Sequence, residues 1–324
     1  MNFVKDRQAR SDFTLIHITD FHLCRPETAP LGAFANKRVL SYLSWRIRRR
    51  HRHDPAILEA VVRHVKDQAA DQVVMTGDLT QLALPGECET ARRCLESIGP
   101  PRNVFLIPGN HDALVAAGWE ERLSRWAGYL ASDGSGAPER MKWPALRIRG
   151  PVALIGLSSA HPTPPLSATG RIGPDQLARC SELLAQAARH SLYRVLLVHH
   201  PPVPGMLSTR RRLEDAGELA EVVRQRGAEL ILHGHIHRRS RVYLPGPGGP
   251  IPVIGSPSAS ETSPDPVHRA GFGIFRIARN GTGWQTTLQD CWYSKEQKRL
   301  FSGAIDSVKN FPPHLVSNSD KTYL

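Results

Sequence analysis

The chain of 324 residues carries 42 Lys and Arg against 30 Asp and Glu, a net charge of +12, with 40% hydrophobic and 22% charged residues. That balance belongs to a folded globular chain, and no run of about 18–20 apolar residues that would make a membrane-spanning helix occurs. The positive excess favours an anionic partner: a phosphate-bearing substrate, nucleic acid or an acidic membrane surface.

At the N-terminus, "MNFVKDRQARSDF" lacks the apolar centre of a secretory signal. The five cysteines, Cys24, Cys88, Cys94, Cys180 and Cys291, are scattered and include no Cys-x-x-Cys pair. A cytoplasmic protein with reduced thiols is the expectation.

Apolar runs rich in Val, Ile and Leu then recur between helical patterns: "FTLIHIT" from 13, "QVVMT" from 72, "NVFLIP" from 103, "VALIGL" from 152, "RVLLVHH" from 194 and "ELILHGH" from 229. These are the buried strands of an α/β protein. The clearest helix covers 54–70, with Asp54 as N-cap, Pro55 in the first turn and Ile57, Leu58, Val61, Val62 and Val65 on one face. Further helical patterns cover 86–98, 118–130, 174–190 and 215–226. After 240, short runs broken by Pro and Gly, such as "RVYLPGPGGPIPVIGS", predict a second, more antiparallel sheet. One domain, 1–302, with an insertion at 24–53 and a loosely ordered tail at 303–324, is the expected organisation.

Chemistry concentrates where strands end. Asp20-Phe21-His22, Gly77-Asp78, Gly109-Asn110-His111-Asp112, His199-His200-Pro201-Pro202 and His233-Gly234-His235-Ile236-His237 each follow an apolar run. Alone, each reads as a turn or a polar loop. Together, at the carboxyl ends of strands in an open α/β sheet, they converge on one crevice. Carboxylate and amide oxygens with four or more imidazoles, and no thiolate, suit Mn, Fe or Zn. Seven ligands exceed one tetrahedral ion and fit two ions that share a carboxylate.

The ordered set Asp-x-His, Gly-Asp, Gly-Asn-His-Asp, His and Gly-His-x-His resembles the calcineurin-like metallophosphoesterases from Asp20 to His237. The resemblance implies a four-layer α/β/β/α sandwich with a dinuclear site of two divalent ions, Mn²⁺ first, Fe or Zn as alternatives. It assigns Asp20, His22, Asp78 and His237 to one ion and Asp78, Asn110, His199 and His235 to the other, with Asp78 bridging. In "VHHPP" either imidazole fits; His199 is chosen because it ends the strand, and His233 is read as structural. Two such ions lower the pKa of a bridging water for in-line attack on a phosphoryl group. His111 matches the family's non-ligand His, which protonates the leaving oxygen or stabilises its charge, and Asp112 is the candidate to orient it.

The insertion is far longer than the 2–6 residues usual at such a connection. Its segment 36–53, "NKRVLSYLSWRIRRRHRH", holds seven Lys or Arg. Val39, Leu40, Leu43 and Ile47 fall on one helical stripe, with Lys37, Arg38, Arg48, Arg49 and Arg52 opposite. Such a helix either packs on the sandwich or lies in an anionic membrane interface. Its pattern resembles a subset of the family that includes chlamydial-type hydrolases of UDP-2,3-diacylglucosamine in lipid A biosynthesis. A second basic run, Arg210-Arg211-Arg212, is a further candidate for the substrate phosphates.

Three substrate classes follow. The first is a phosphodiester or pyrophosphate of a lipid-linked substrate such as UDP-2,3-diacylglucosamine, cleaved by a peripheral enzyme on the inner face of the membrane. The alternative is a soluble cyclic nucleotide or small diester. Nucleic acid comes last, because aromatics amount to only 6% and no regular stacking series occurs. The oligomeric state is not written in the sequence.

Overall fold

The computed structural model describes residues 12–23, 32, 37–116, 118–135, 142–281 and 283–308. Cys24, most of the first half of the insertion, the side chains of Arg48 and Arg49, and the end of the chain from 309 lie outside the described residues.

Two six-stranded sheets form the frame. The first contains β1 (Asp12–Ile18), β2 (Gln72–Met75), β3 (Val104–Leu106), β10 (Gly271–Asn280), β11 (Gly283–Ser294) and β12 (Arg299–Ser307), in the order β12-β11-β10-β1-β2-β3. The second contains β4 (Ala145–Arg149), β5 (Val152–Gly156), β6 (Tyr193–Leu197), β7 (Leu230–His233), β8 (Ser240–Leu244) and β9 (Ile251–Gly255), in the order β4-β5-β6-β7-β9-β8. β1, β2 and β3 run parallel, as do β5, β6, β7 and β9.

Side-chain alternation builds the layers. Phe13, Leu15, Val74, Phe105, Val195, Leu197, Leu230 and Leu232 fill a core between the sheets. Their neighbours Ile16, Ile18, Val73, Met75 and Leu106 turn outward against the helices α2 (Pro55–Asp67) and α3 (Pro85–Ile98). Leu196 and Ile231 do the same on the second sheet against α6 (Pro174–Arg189) and α7 (Ala216–Arg226). The result is the expected four-layer α/β/β/α sandwich.

Asp54 caps α2 by accepting the Ala56 N–H at 2.8 Å, with Pro55 in the first turn, a cap worth about 1 kcal/mol. The helix expected over 118–130 is instead two short ones, α4 (Trp119–Ser124) and α5 (Ala127–Leu130). The break falls at Trp126, whose buried indole donates to the Cys88 carbonyl at 3.1 Å.

Two expectations are corrected. The strands after 240 do not make a sheet of their own: β10 pairs antiparallel with β1, Phe13 opposite Ile277, while β8 and β9 complete the other sheet. Nor does the chain loosen at 303, because β12 pairs with β11 as far as Ser307. An edge strand is held by backbone hydrogen bonds, so its side chains need no apolar pattern.

The remaining helix, α1 (Arg38–Ser44), continues into a single π-helical turn, Trp45–Arg49. Cys88, Cys94, Cys180 and Cys291 are free thiols. No helix among the described residues is long and apolar enough to cross a membrane.

Candidate metal centre

Every motif follows the C-terminal end of a parallel strand, so the five loops meet at one edge of the sandwich. The loops after β1 and β2 run side by side, with Asp20 N–H donating to Gly77 O at 3.0 Å and His22 N–H to Asp78 O at 3.0 Å. The glycines permit this proximity. A Cβ on Gly109 would overlap the Asp78 carboxylate and backbone, and one on Gly234 would overlap Thr19 Oγ1 and Asp20 Oδ2.

Asp20, His22, Asp78, His235 and His237 all sit at positive φ, between 47° and 70°. For residues other than glycine this conformation costs about 1–2 kcal/mol each. Strain of this kind collects where surrounding structure holds a functional geometry in place, and here it falls on five of the seven ligand candidates.

One group consists of Asp20, His22, Asp78 and His237, each offering a ligand atom within 4.8 Å of the others. Asp20 Oδ2 is occupied by the Thr19 hydroxyl at 2.7 Å and the His235 N–H at 3.1 Å. Its Oδ1 is buried without a hydrogen bond, 3.2 Å from His237 Nε2 and 3.6 Å from His22 Nε2. The two imidazole Nε2 atoms are 2.8 Å apart. An orphaned carboxylate oxygen facing two imidazole nitrogens is the donor set of a divalent cation.

The second group gathers around Asn110. Its Oδ1 lies 3.1 Å from His199 Nε2 and 2.8 Å from His235 Nδ1. His199 Nδ1 is 2.6 Å from the Thr76 carbonyl and His235 Nε2 is 3.0 Å from the Arg211 carbonyl. A carbonyl only accepts, so each of those nitrogens carries a proton and the opposite nitrogen faces Asn110. Asp78 stands between the groups: Oδ2 is 3.4 Å from His199 Nε2 and 3.8 Å from His22 Nε2, while Oδ1 accepts the His111 N–H at 2.7 Å.

The charge states follow from these contacts. Burial alone would favour neutral Asp78, but His199 and His111 hold it well below the usual carboxylate range. Burial likewise opposes charge on Asp20, and His237 and His22 pull its pKa down. Burial works against protonation of His199 too, yet the Asp78 carboxylate pushes it up to about 9. His237 is lowered to about 4, mainly by burial, and burial with His200 and His199 nearby puts His235 well below the ordinary value.

His200, the other imidazole of "VHHPP", directs Nδ1 to Ser159 Oγ at 2.8 Å and Nε2 to the Ala168 carbonyl at 3.2 Å. Both its nitrogens thus have partners outside the Asn110 group. His233 is buried and packs its nitrogens against Gly234 O and Ser240 Oγ.

His111 lies at the centre, its ring edge-on to His22 with centroids 4.8 Å apart. The expected link from Asp112 is replaced. The Asp112 carboxylate accepts from Gly109 N–H at 2.9 Å, Thr80 N–H at 3.0 Å and Thr80 Oγ1 at 3.0 Å, closing the loop backbone. Burial, then the nearby Asp78 charge, raises its pKa to about 6. The His111 ring is held by the Gln81 carbonyl, 2.7 Å from Nδ1, a backbone partner with no signature in the sequence.

In the insertion helix the Lys37–Arg38 end, and not the apolar stripe, is tied to the sandwich. Arg38 is buried and donates to Leu82 O and Ala83 O at 2.8 and 2.7 Å, and Lys37 reaches Thr163 Oγ1 and Ser167 O. Tyr42 packs on Leu82, Ala83, Leu84, Leu114 and Val115. Val39, Leu40, Leu43 and Ile47 project outward, 41, 44, 46 and 76% exposed. The side chains of Arg210, Arg211 and Arg212 are exposed, while the Arg211 carbonyl holds His235.

The loop after β9, which carries no motif, also shapes the site. There Ser258 Oγ donates to Asp20 O at 2.6 Å and Ser260 Oγ to Phe21 O at 2.8 Å, fixing the Asp-x-His loop from behind. Its position just past "IPVIG", another parallel strand end, was the available signal.

Known proteins share this framework. The family model for calcineurin-like phosphoesterases matches residues 13–239. A probable cyclic nucleotide phosphodiesterase of Synechococcus is 26% identical over 281 residues, covering 85% of this chain and 91% of the relative. A cAMP/cGMP dual specificity phosphodiesterase of Mycobacterium tuberculosis is 27% identical over 250 residues, covering 75% of this chain and 66% of the relative. Among solved structures, a dimetal phosphatase from Danio rerio superposes with a TM-score of 0.60 at 15% identity, over 90% of this chain and 98% of its own. With the family model spanning every motif from Asp20 to His237, on a sandwich that brings them to one edge, this chain belongs to the calcineurin-like phosphoesterases and is an enzyme of that metal-dependent family.

Proposed function

We propose that the chain is a phosphodiesterase with two divalent cations, one held by Asp20, His22, Asp78 and His237 and the other by Asp78, Asn110, His199 and His235. The observation that carries this is the Asp78 carboxylate lying between two groups of imidazole nitrogens and oxygens, with Asp20 Oδ1 buried and unpartnered beside the first. The nitrogen and oxygen donors make Mn²⁺ the first choice, with Fe or Zn as alternatives. Bound there, the pair of ions supplies an activated water and positive charge for the phosphoryl oxygens. His199 is preferred to His200 because both nitrogens of His200 are engaged elsewhere. His111, anchored through Nδ1 by the Gln81 carbonyl, is the residue proposed to protonate the leaving oxygen or stabilise its charge.

For substrate, a small soluble diester of the cyclic nucleotide class is the leading reading, supported by the names of the two relatives. One observation favours the second reading, a lipid-linked diester or pyrophosphate at an anionic membrane surface: the outward stripe of Val39, Leu40, Leu43 and Ile47 beside Arg46 and Arg50. The stripe belongs to the helix that precedes His53 in the chain.

The discriminating experiment is a Mn²⁺-supplemented hydrolysis panel of bis-p-nitrophenyl phosphate, cyclic AMP, cyclic GMP and a UDP-linked acylated sugar. Preference for the cyclic nucleotides is expected. Preference for the acylated sugar nucleotide replaces the first substrate reading with the second, and failure on all four overturns the phosphodiesterase proposal.

A further inference from the structure

His53, the last residue of the basic segment, belongs to no family motif quoted above, yet its ring packs against His22 and His237, two of the candidates for the first metal. Its ring centroid is 4.5 Å from that of His22 and 5.5 Å from that of His237. These three imidazoles each offer a nitrogen within 4.8 Å of the others, so His22 and His237 are common to this group and to the group with Asp20 and Asp78.

The protons around His53 can be counted. Ser260 Oγ donates to Phe21 O at 2.8 Å and Ser258 Oγ donates to Asp20 O at 2.6 Å. Each hydroxyl has one proton and has used it. His53 Nδ1, 2.8 Å from Ser260 Oγ and 3.4 Å from Ser258 Oγ, is therefore the donor in both contacts. Nε2 is left as a lone pair. A metal-bound imidazole has this arrangement, with one ring N–H held by an acceptor and the other nitrogen on the ion.

The backbone around His53 is fixed as firmly. Asp54 N–H donates to Ser260 O at 2.9 Å, Thr262 N–H to Arg52 O at 2.9 Å, and Thr262 Oγ1 to His51 O at 2.9 Å. Arg52 pairs with the buried Glu261 at 2.6 Å. Residues 51–54 are thus clamped to the same loop that fixes Asp20 and Phe21 from behind.

We propose that His53 is an additional protein ligand of the first metal ion, supplied by the insertion and joining Asp20, His22, Asp78 and His237. Through it the insertion is tied to occupancy of that site. The proposal rests on the metal assignment made under Proposed function.

Calorimetric titration of metal-stripped protein with Mn²⁺ tests it. His53→Asn keeps a donor where Nδ1 was and removes Nε2; it is expected to weaken the first site on the order of 10- to 100-fold while the Asn110 site keeps its affinity. His53→Gln, which puts an amide oxygen or nitrogen near the Nε2 position, is expected to fall between wild type and His53→Asn. Equal affinity of wild type and His53→Asn at both sites overturns the proposal, as does an equal loss at both sites, which would mark a general disturbance of the fold. A wild-type chain that binds fewer than two Mn²⁺ refutes the metal assignment itself.

Discussion

If His199 is a ligand of the second ion, as proposed, metal binding expels a proton from it. In the metal-free chain its imidazole lies 3.4 Å from the Asp78 carboxylate and is pushed up to about 9, so below that pH it holds protons on both nitrogens. Nδ1–H is committed to the Thr76 carbonyl, so the proton lost to a cation is the one on Nε2. At pH 7.5 a group shifted this way is mostly protonated, and occupancy releases about one proton from it. The sign is fixed: metal affinity rises with pH up to about 9 and then levels. Between pH 8.5 and 6.5, competition at this one nitrogen weakens binding on the order of 10- to 100-fold. His237, at about 4, and His235, well below its ordinary value, are already neutral in this window. Calorimetry of Mn²⁺ binding at pH 7.5 in buffers of different ionisation enthalpy gives the proton count. Wild type is expected to release about one proton more than His199→Gln, other sources being common to both. An equal count in the two proteins, or an affinity flat from pH 6.5 to 8.5, refutes the reasoning.

Other predictions follow from single contacts. His111→Ala should keep both metals, by metal analysis, and lose on the order of 10²–10⁴ in kcat/KM; loss of metal or full activity contradicts the role given to it. Gly109→Ala, whose Cβ overlaps Asp78, should lower stability by about 1–3 kcal/mol in urea unfolding and weaken metal binding; wild-type values for both would show that the loops can separate freely. If the second substrate reading holds, Leu43→Ser/Ile47→Ser should abolish co-sedimentation with anionic vesicles without altering hydrolysis of bis-p-nitrophenyl phosphate. Wild-type protein that stays in the supernatant excludes the membrane role.

Much of the site was legible because its residues sit in local motifs at strand ends, where strand polarity alone brings Asp20, Asp78, Asn110, His199 and His235 to one edge. What was hidden depends on distant pairing. Nothing near Phe13 says that it lies opposite Ile277, so the last strands were assigned a sheet of their own. The Gln81 carbonyl that holds His111 and the serines that orient His53 have no motif spacing to reveal them. The periodicity of the insertion helix identified its stripe correctly but not which side faced the protein. That was decided by Arg38, buried because two backbone carbonyls satisfy its guanidinium.

The central claim is that hydrolysis depends on two cations sharing Asp78. Stripping the protein with a chelator and restoring Mn²⁺ stepwise, while following bis-p-nitrophenyl phosphate hydrolysis, tests it most directly. Activity should vanish on stripping and return in full only as the second equivalent binds, with Asp78→Asn failing to recover at any concentration. Hydrolysis that survives stripping, or is complete at one equivalent, contradicts it.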